Sequence, residues 1–133
     1  MDKEYLMAVS IAEKTLSDMQ KIQAKAPYKG MEDSKGCNVL ENIINELESF
    51  IGEVKHYSRE TREGYLKVGS NDRYSINNTE LTCSYPIEVY NSEYNQWEAG
   101  RIEHNSKYGG YYFYNHDGSH VPLFDGMKAR LRI

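Results

Sequence analysis

The chain is predicted to be an α+β protein in which an N-terminal antiparallel α-helical hairpin (residues 1–60) precedes a small antiparallel β-barrel (64–133). Three observations predict this. Apolar residues recur at helical spacing over residues 5–26 and again over 40–57. A polar segment, S-R-E-T-R-E at 58–63, then interrupts the pattern. From Pro86 to Ile133, four short β-type runs, P-I-E-V-Y, Q-W-E-A-G-R-I-E-H, G-G-Y-Y-F-Y-N and G-M-K-A-R-L-R-I, alternate with turn residues, as in a small closed β-domain.

The first helix is expected over about 2–26. Tyr5, Val9, Ala12, Leu16, Met19 and Ala26 form a narrow stripe, and Pro27 stops the helix because the residue before a proline is pushed out of the α region. Residues 27–37, with one proline and two glycines, read as a long interhelix loop that includes Cys37. Asn38 and Glu41 have the form of an N-cap and its capping-box partner, so the second helix is expected over about 38–57. Its stripe of Leu40, Ile43, Ile44, Leu47, Phe50, Ile51, Val54 and Tyr57 is the wider of the two. It is wide enough to serve the first helix and a further surface, either the β-domain or a second copy of the chain.

In the β-half, G-Y-L-K-V (64–68) and R-Y-S-I (73–76) flank a short loop and predict a hairpin. Residues 77–84 read as turn, followed by strands at 87–90, 97–104, 111–115, 121–124 and 127–133. Alternation assigns Leu66, Val68, Tyr74, Ile76, Ile87, Val89, Trp97, Ala99, Ile102, Tyr111, Phe113, Val121, Leu123, Met127, Ala129 and Leu131 to the interior. In that assignment the phase slips between Ala99 and Ile102, and Gly100 is the place for a bulge.

With 133 residues the chain can bury roughly 65 to 70% of its unfolded surface, enough for a modest core. Its 12 tyrosines, against 3 phenylalanines and 1 tryptophan, bring large rings with polar tips. The net charge of −4 divides as −3 over residues 1–63 (9 basic, 12 acidic) and −1 over 64–133 (7 basic, 8 acidic). That balance excludes the electropositive field of a nonspecific nucleic-acid binder. Cys37 and Cys83 read as free thiols in a reducing compartment. With no signal-like start and no run of 18 apolar residues, a cytoplasmic protein without a membrane partner is expected.

The residues V-Y, W-E-A-G-R-I-E, G-Y-Y-F and G-M-K-A-R-L-R, in that order, carry two resemblances. The arrangement is similar to the Src-homology 3 (SH3-like) or Tudor-type β-barrel. It also resembles a family of domains of unknown function found in Firmicutes genomes, plasmids, conjugative elements and phages. The resemblance covers about Gly64 to Ile133 and has no catalytic motif to transfer. It implies a barrel fold and a mobile-element setting.

No catalytic or metal-ligating set emerges. His116, Asp117 and His120 lie across a turn at Gly118 with no third or fourth ligand nearby, and Cys83 has no helix N-terminus to lower its pKa. Gly109 and Gly110 precede a strand rather than a helix, so they form no phosphate loop, and no cofactor is expected. The informative residues point outward. Tyr90, Tyr112, Tyr114, Lys128, Arg130 and Arg132 fall on the solvent side of their strands, with Arg101 in the W-x-x-G-R-I run. Tyr and Arg are enriched at interface centres, although cross-strand pairing alone also places such residues on a sheet face. Trp97 belongs to the core or else lines an aromatic groove with Tyr90 and Tyr112.

The expectation is therefore a non-enzymatic protein-interaction module. Its partner would be a host factor, as for an inhibitor of a host defence protein, or a second copy met through the hairpin. The alternative is a nucleic-acid accessory module that stacks bases on the Tyr and Arg face, against which Glu88, Glu98 and Glu103 weigh.

Overall fold

The computed structural model describes all residues, 1–133, and the chain divides into two compact units, Met1–Arg59 and Glu60–Ile133. The fold is α+β: two helices followed by antiparallel sheet. Neither helix is long and apolar enough to cross a membrane.

Helix α1 spans Lys3–Lys25, and Ala26, held extended (φ −63°, ψ 132°) ahead of Pro27, ends it. Helix α2 spans Met31–Tyr57, so it begins seven residues before the position expected from Asn38, and Cys37 lies within the helix. The early start has a local cause. Glu32 and Asp33 sit in the first turn, where the helix dipole favours negative charge, and Asp33 Oδ2 accepts a 2.8 Å hydrogen bond from the Lys29 amide. Gly36 costs such a helix only about 1 kcal/mol, too little to terminate it. Val9 and Ala12 of α1 and Ile44 of α2 are the buried residues of the hairpin.

The second unit contains nine strands. These are β1 (Thr61–Tyr65), β2 (Lys67–Val68), β3 (Tyr74–Ile76), β4 (Thr79–Glu80), β5 (Pro86–Asn91), β6 (Gln96–Asn105), β7 (Gly110–Asn115), β8 (His120–Pro122) and β9 (Lys128–Arg132). Six form one sheet in the order β1-β9-β5-β6-β7-β8, and β2-β3-β4 form a second. The expected closure into a barrel does not occur: β1 and β8 are the two edges of an open sheet and do not pair with each other. Strand β1 starts within the polar segment expected to be a linker, because its side chains on one face meet Arg130 and Arg132 of β9 rather than a core.

The hairpin expected between 64 and 76 forms through β2 and β3, with the Gly69 amide donating to Arg73 O at 2.7 Å. A second hairpin, β3–β4, occupies residues expected to be only turn. Asn77 and Asn78 both take positive φ (48° and 66°), the geometry of a two-residue primed turn whose twist matches the flanking strands. It delivers Leu81, 1% exposed, into the core.

One core serves both sheets: Leu66, Ile76, Leu81, Ile87, Val89, Ile102, Phe113, Leu123, Met127, Ala129 and Leu131, with Tyr74, Tyr85, Tyr111 and Val121 packed against it. Each fully buried large side chain contributes about 1.5–3 kcal/mol by removal from water. Three residues of the expected interior lie elsewhere. Val68 is exposed, while Trp97 and Ala99 lie on the opposite face of the large sheet.

Strand β6 is in fact regular, and no bulge is present: Gln96–Arg101 pairs continuously with β5, and Gly100–Asn105 with β7. The inward positions are Glu98, Gly100 and Ile102, so the apparent phase slip arose from treating Trp97 and Ala99 as core. Gly100 is there for space. A Cβ at this position would sit 2.5 Å from Phe113 Cε2 and overlap the Tyr114 carbonyl oxygen.

Candidate functional site

The pairing register assembles the outer face of the large sheet. Across β9, β5 and β6, Arg130 stands beside Glu88 and Glu88 beside Ala99, while Tyr90 stands beside Trp97. Across β6, β7 and β8, Arg101 stands beside Tyr114, and Tyr114 beside His120. All eight residues singled out from the sequence, Tyr90, Trp97, Arg101, Tyr112, Tyr114, Lys128, Arg130 and Arg132, occupy this one face.

They fall into two groups. The first is centred on Glu88, which is 6% exposed and sits on the central strand β5. Arg130 donates to Glu88 Oε1 through Nε at 3.0 Å and Nη2 at 2.7 Å. Arg132 donates to Oε2 through Nε at 2.7 Å and to Oε1 through Nη2 at 3.1 Å. Burial pushes the Glu88 carboxyl up, but the hydrogen bonds from Arg132 and Arg130, with their charges, outweigh it and hold the group below its ordinary value of 4.5. The two guanidiniums are thereby fixed in orientation. Trp97 covers that of Arg130, which lies 4.3 Å from its ring centroid, and Lys128 Nζ lies 5.7 Å from the same centroid and 4.7 Å from that of Tyr90. Tyr90 meets Trp97 edge to face at 5.2 Å.

The second group lies on β6, β7 and β8. The Arg101 guanidinium stands 4.4 Å from the Tyr114 centroid, and its Nε donates to Glu103 Oε1 at 2.7 Å. Tyr112, Tyr114 and Tyr108 gather around the His120 ring at 5.2, 4.9 and 4.9 Å, and His120 Nδ1 is 2.6 Å from the Tyr108 hydroxyl. Burial, with the nearby Glu103 carboxylate, raises the Tyr112 pKa. Six residue steps along β6 separate Trp97 from Glu103, the cross-strand neighbour of Tyr112, a span of about 20 Å. The expected groove of Tyr90, Trp97 and Tyr112 is therefore not formed, and Trp97 and Tyr112 belong to different groups. Pro86 and Arg101, cross-strand neighbours, bridge the two.

Sequence reasoning missed Tyr108 and His120 as members of the face and counted Glu88 only as an acid weighing against it. Glu88 was legible: it shares the outward phase of Tyr90 and is the one carboxylate on the central strand between two arginine-bearing neighbours. Tyr108 was not, because it sits on a single 3-10 turn, Ser106–Tyr108, closed by the Asn105 side chain accepting from the Lys107 amide at 2.9 Å.

Asp117 is engaged in a turn. Asp117 Oδ1 accepts from the Ser119 amide at 2.7 Å, and that hydrogen bond keeps its carboxyl below the ordinary range. Cys37 and Cys83 are free thiols. On the inner side of the sheet, a cleft of about 510 Å³ runs between Val89, Val121, Phe124 and Met127 with Glu98 in its wall. Both Glu98 oxygens are occupied, by Asn91 Nδ2 at 2.8 Å and Asn115 Nδ2 at 3.1 Å.

No curated protein and no solved structure matches the chain. A family model described as a domain of unknown function, DUF5348, matches residues 63–131, slightly more than half of the chain, from the third residue of β1 to the penultimate residue of β9, and so takes in at least part of every strand and all of the Tyr and Arg face except Arg132. This chain belongs to that family of domains of unknown function.

Proposed function

We propose that the protein acts as a non-enzymatic interaction module whose outer sheet face docks onto a protein partner. The supporting observation is the arrangement around Glu88, where Arg130 and Arg132 are immobilised by one carboxylate and flanked by Trp97, Tyr90 and Lys128. An arginine already held in place loses little side-chain entropy on binding, and Trp, Tyr and Arg are the residue types that dominate interface energetics. The resemblance of the β-half to domains carried by phages and conjugative elements directs the proposal toward a host defence protein, which this face would inhibit by occlusion. The partner class thus rests on that setting, whereas the location of the surface rests on the geometry.

Affinity capture from the lysate of the native host, followed by titration of the purified partner, tests the reading. A stoichiometric complex is expected, and Trp97→Ala should weaken it by about 30-fold, as for a hot spot of about 2 kcal/mol. Absence of any specific complex, or a complex indifferent to Trp97→Ala and Arg101→Glu alike, would refute it. Cations over rings also suit single-stranded nucleic acid. Oligonucleotide affinity that falls steeply with salt and disappears in Arg101→Glu would replace the protein partner with that one.

A further inference from the structure

We propose that the hairpin is a dimerisation element: two copies of the chain associate through one side of their α1–α2 pairs to form a four-helix bundle. The inference is independent of the sheet-face reading and concerns the other unit. Helix α1 places Val9, Ala12, Leu16 and Met19 on the seam with α2, and α2 places Leu40, Ile44 and Ile51 there. With 3.6 residues per turn, Ile11 and Ile22 lie roughly 100° around α1 from that seam, and Val39, Ile43 and Phe50 lie roughly 100° around α2 in the same rotational sense.

The helices run antiparallel, as the Lys55–Glu13 ion pair and the Gln20–Glu48 hydrogen bond require, since position 13 meets 55 and position 20 meets 48. Equal rotations of the same sense on antiparallel helices point to the same side. The hairpin therefore has an apolar side formed by Ile11, Ile22, Val39, Ile43 and Phe50, while Glu13, Lys55, Gln20 and Glu48 occupy the other. These apolar side chains are 69, 60, 64, 44 and 37% exposed.

Size and symmetry select the occupant. Helices of 23 and 27 residues lying side by side give a face about 35 Å long and about 20 Å wide, on the order of 700 Å². That is close to the area of about 800 Å² that each partner contributes to a stable complex. A twofold dimer needs a surface complementary to itself, and the five apolar side chains supply self-matching area, with Asp18, which falls between Ile11 and Ile22 on the same side of α1, already paired with Lys14 at 2.9 Å. The hairpin also buries only Val9, Ala12 and Ile44, whereas a four-helix bundle would provide the second layer that its two apolar stripes lack.

Sedimentation equilibrium of the full chain is the test. The wild type is expected at twice its 15.4 kDa mass in the micromolar range. Ile11→Glu with Ile43→Glu should raise the dissociation constant at least about 100-fold by placing charge in an apolar interface, with helical circular dichroism retained because both positions are exposed in the monomer. Glu13→Gln with Lys55→Gln, on the other side, should leave the dimer intact. A monomeric wild type, including one that binds only an unrelated protein, would overturn the proposal. So would a dimer that survives the glutamates, or one that the control pair also dissolves.

Discussion

Arg130 lies with its guanidinium 4.3 Å over the ring of Trp97 while its Nε and Nη2 are both bonded to Glu88 Oε1. The tryptophan is therefore half-buried on the outer face of the sheet rather than inside the core, and it is the only tryptophan in the chain. Its fluorescence should show the emission of a partly hydrated indole and be readily quenched by acrylamide. Arg130→Ala should shift it measurably, whereas a blue-shifted, unquenched emission would contradict the placement.

Replacing Glu88 tests the centre of the cluster. Glu88→Ala leaves two guanidiniums packed together without a counter-charge, so a loss of about 3 kcal/mol is expected in urea unfolding. Arg130→Ala should cost less, since Arg132 still satisfies both carboxylate oxygens.

The same cluster sets a pH dependence. The Glu88 carboxyl is held below its ordinary value of 4.5, so the folded state binds its proton less readily than the unfolded chain does. Its contribution is complete above that ordinary value and is lost as pH falls through the depressed one. Unfolding measured between neutrality and strong acid should show this loss in the wild type, and Glu88→Gln should remove that part of the slope.

Gly100→Ala is expected to destabilise the β-unit severely. The added methyl would meet the backbone oxygen of Tyr114 and the buried ring of Phe113, neither of which is the yielding end of a flexible side chain. Overpacking of this kind costs about 1–3 kcal/mol or more, readable as a lowered melting temperature.

The Asn77–Asn78 turn provides a fifth check. Asn78 sits at φ 66°, which glycine adopts freely and a β-branched residue does not. Asn78→Gly should leave stability nearly unchanged, while Asn78→Val should cost about 1–3 kcal/mol.

Most of this architecture was legible in order and type. The helical period placed both helices, and alternation placed Ile87, Val89, Ile102, Phe113, Ala129 and Leu131 inside, because burial on one face of a strand enforces that pattern. The errors share a physical origin. Reading Trp97 as an inward, apolar position of its strand overlooks a partner on the outer face, the cations of β9, which reach it across the intervening β5. Asn38 looked like a cap, but the acidic first turn at Glu32 and Asp33 had already started α2. Closure into a barrel depends on whether the outermost strands meet, which local pattern does not encode. For the candidate face, alternation identified which side chains share a surface, and only the register showed that Tyr112 and Trp97 stand in separate groups.

An open sheet leaves two rows of unspent backbone groups, each an invitation to polymerise. Here Asn77 Nδ2 donates to the Glu63 carbonyl on β1, and β8 is three residues long and ends in Pro122, which has no amide to offer. The chain thus carries its own stoppers against adding strands edge to edge into fibrils. Lengthening β8 or exchanging Pro122 for valine would turn a self-limited particle into the seed of an aggregate.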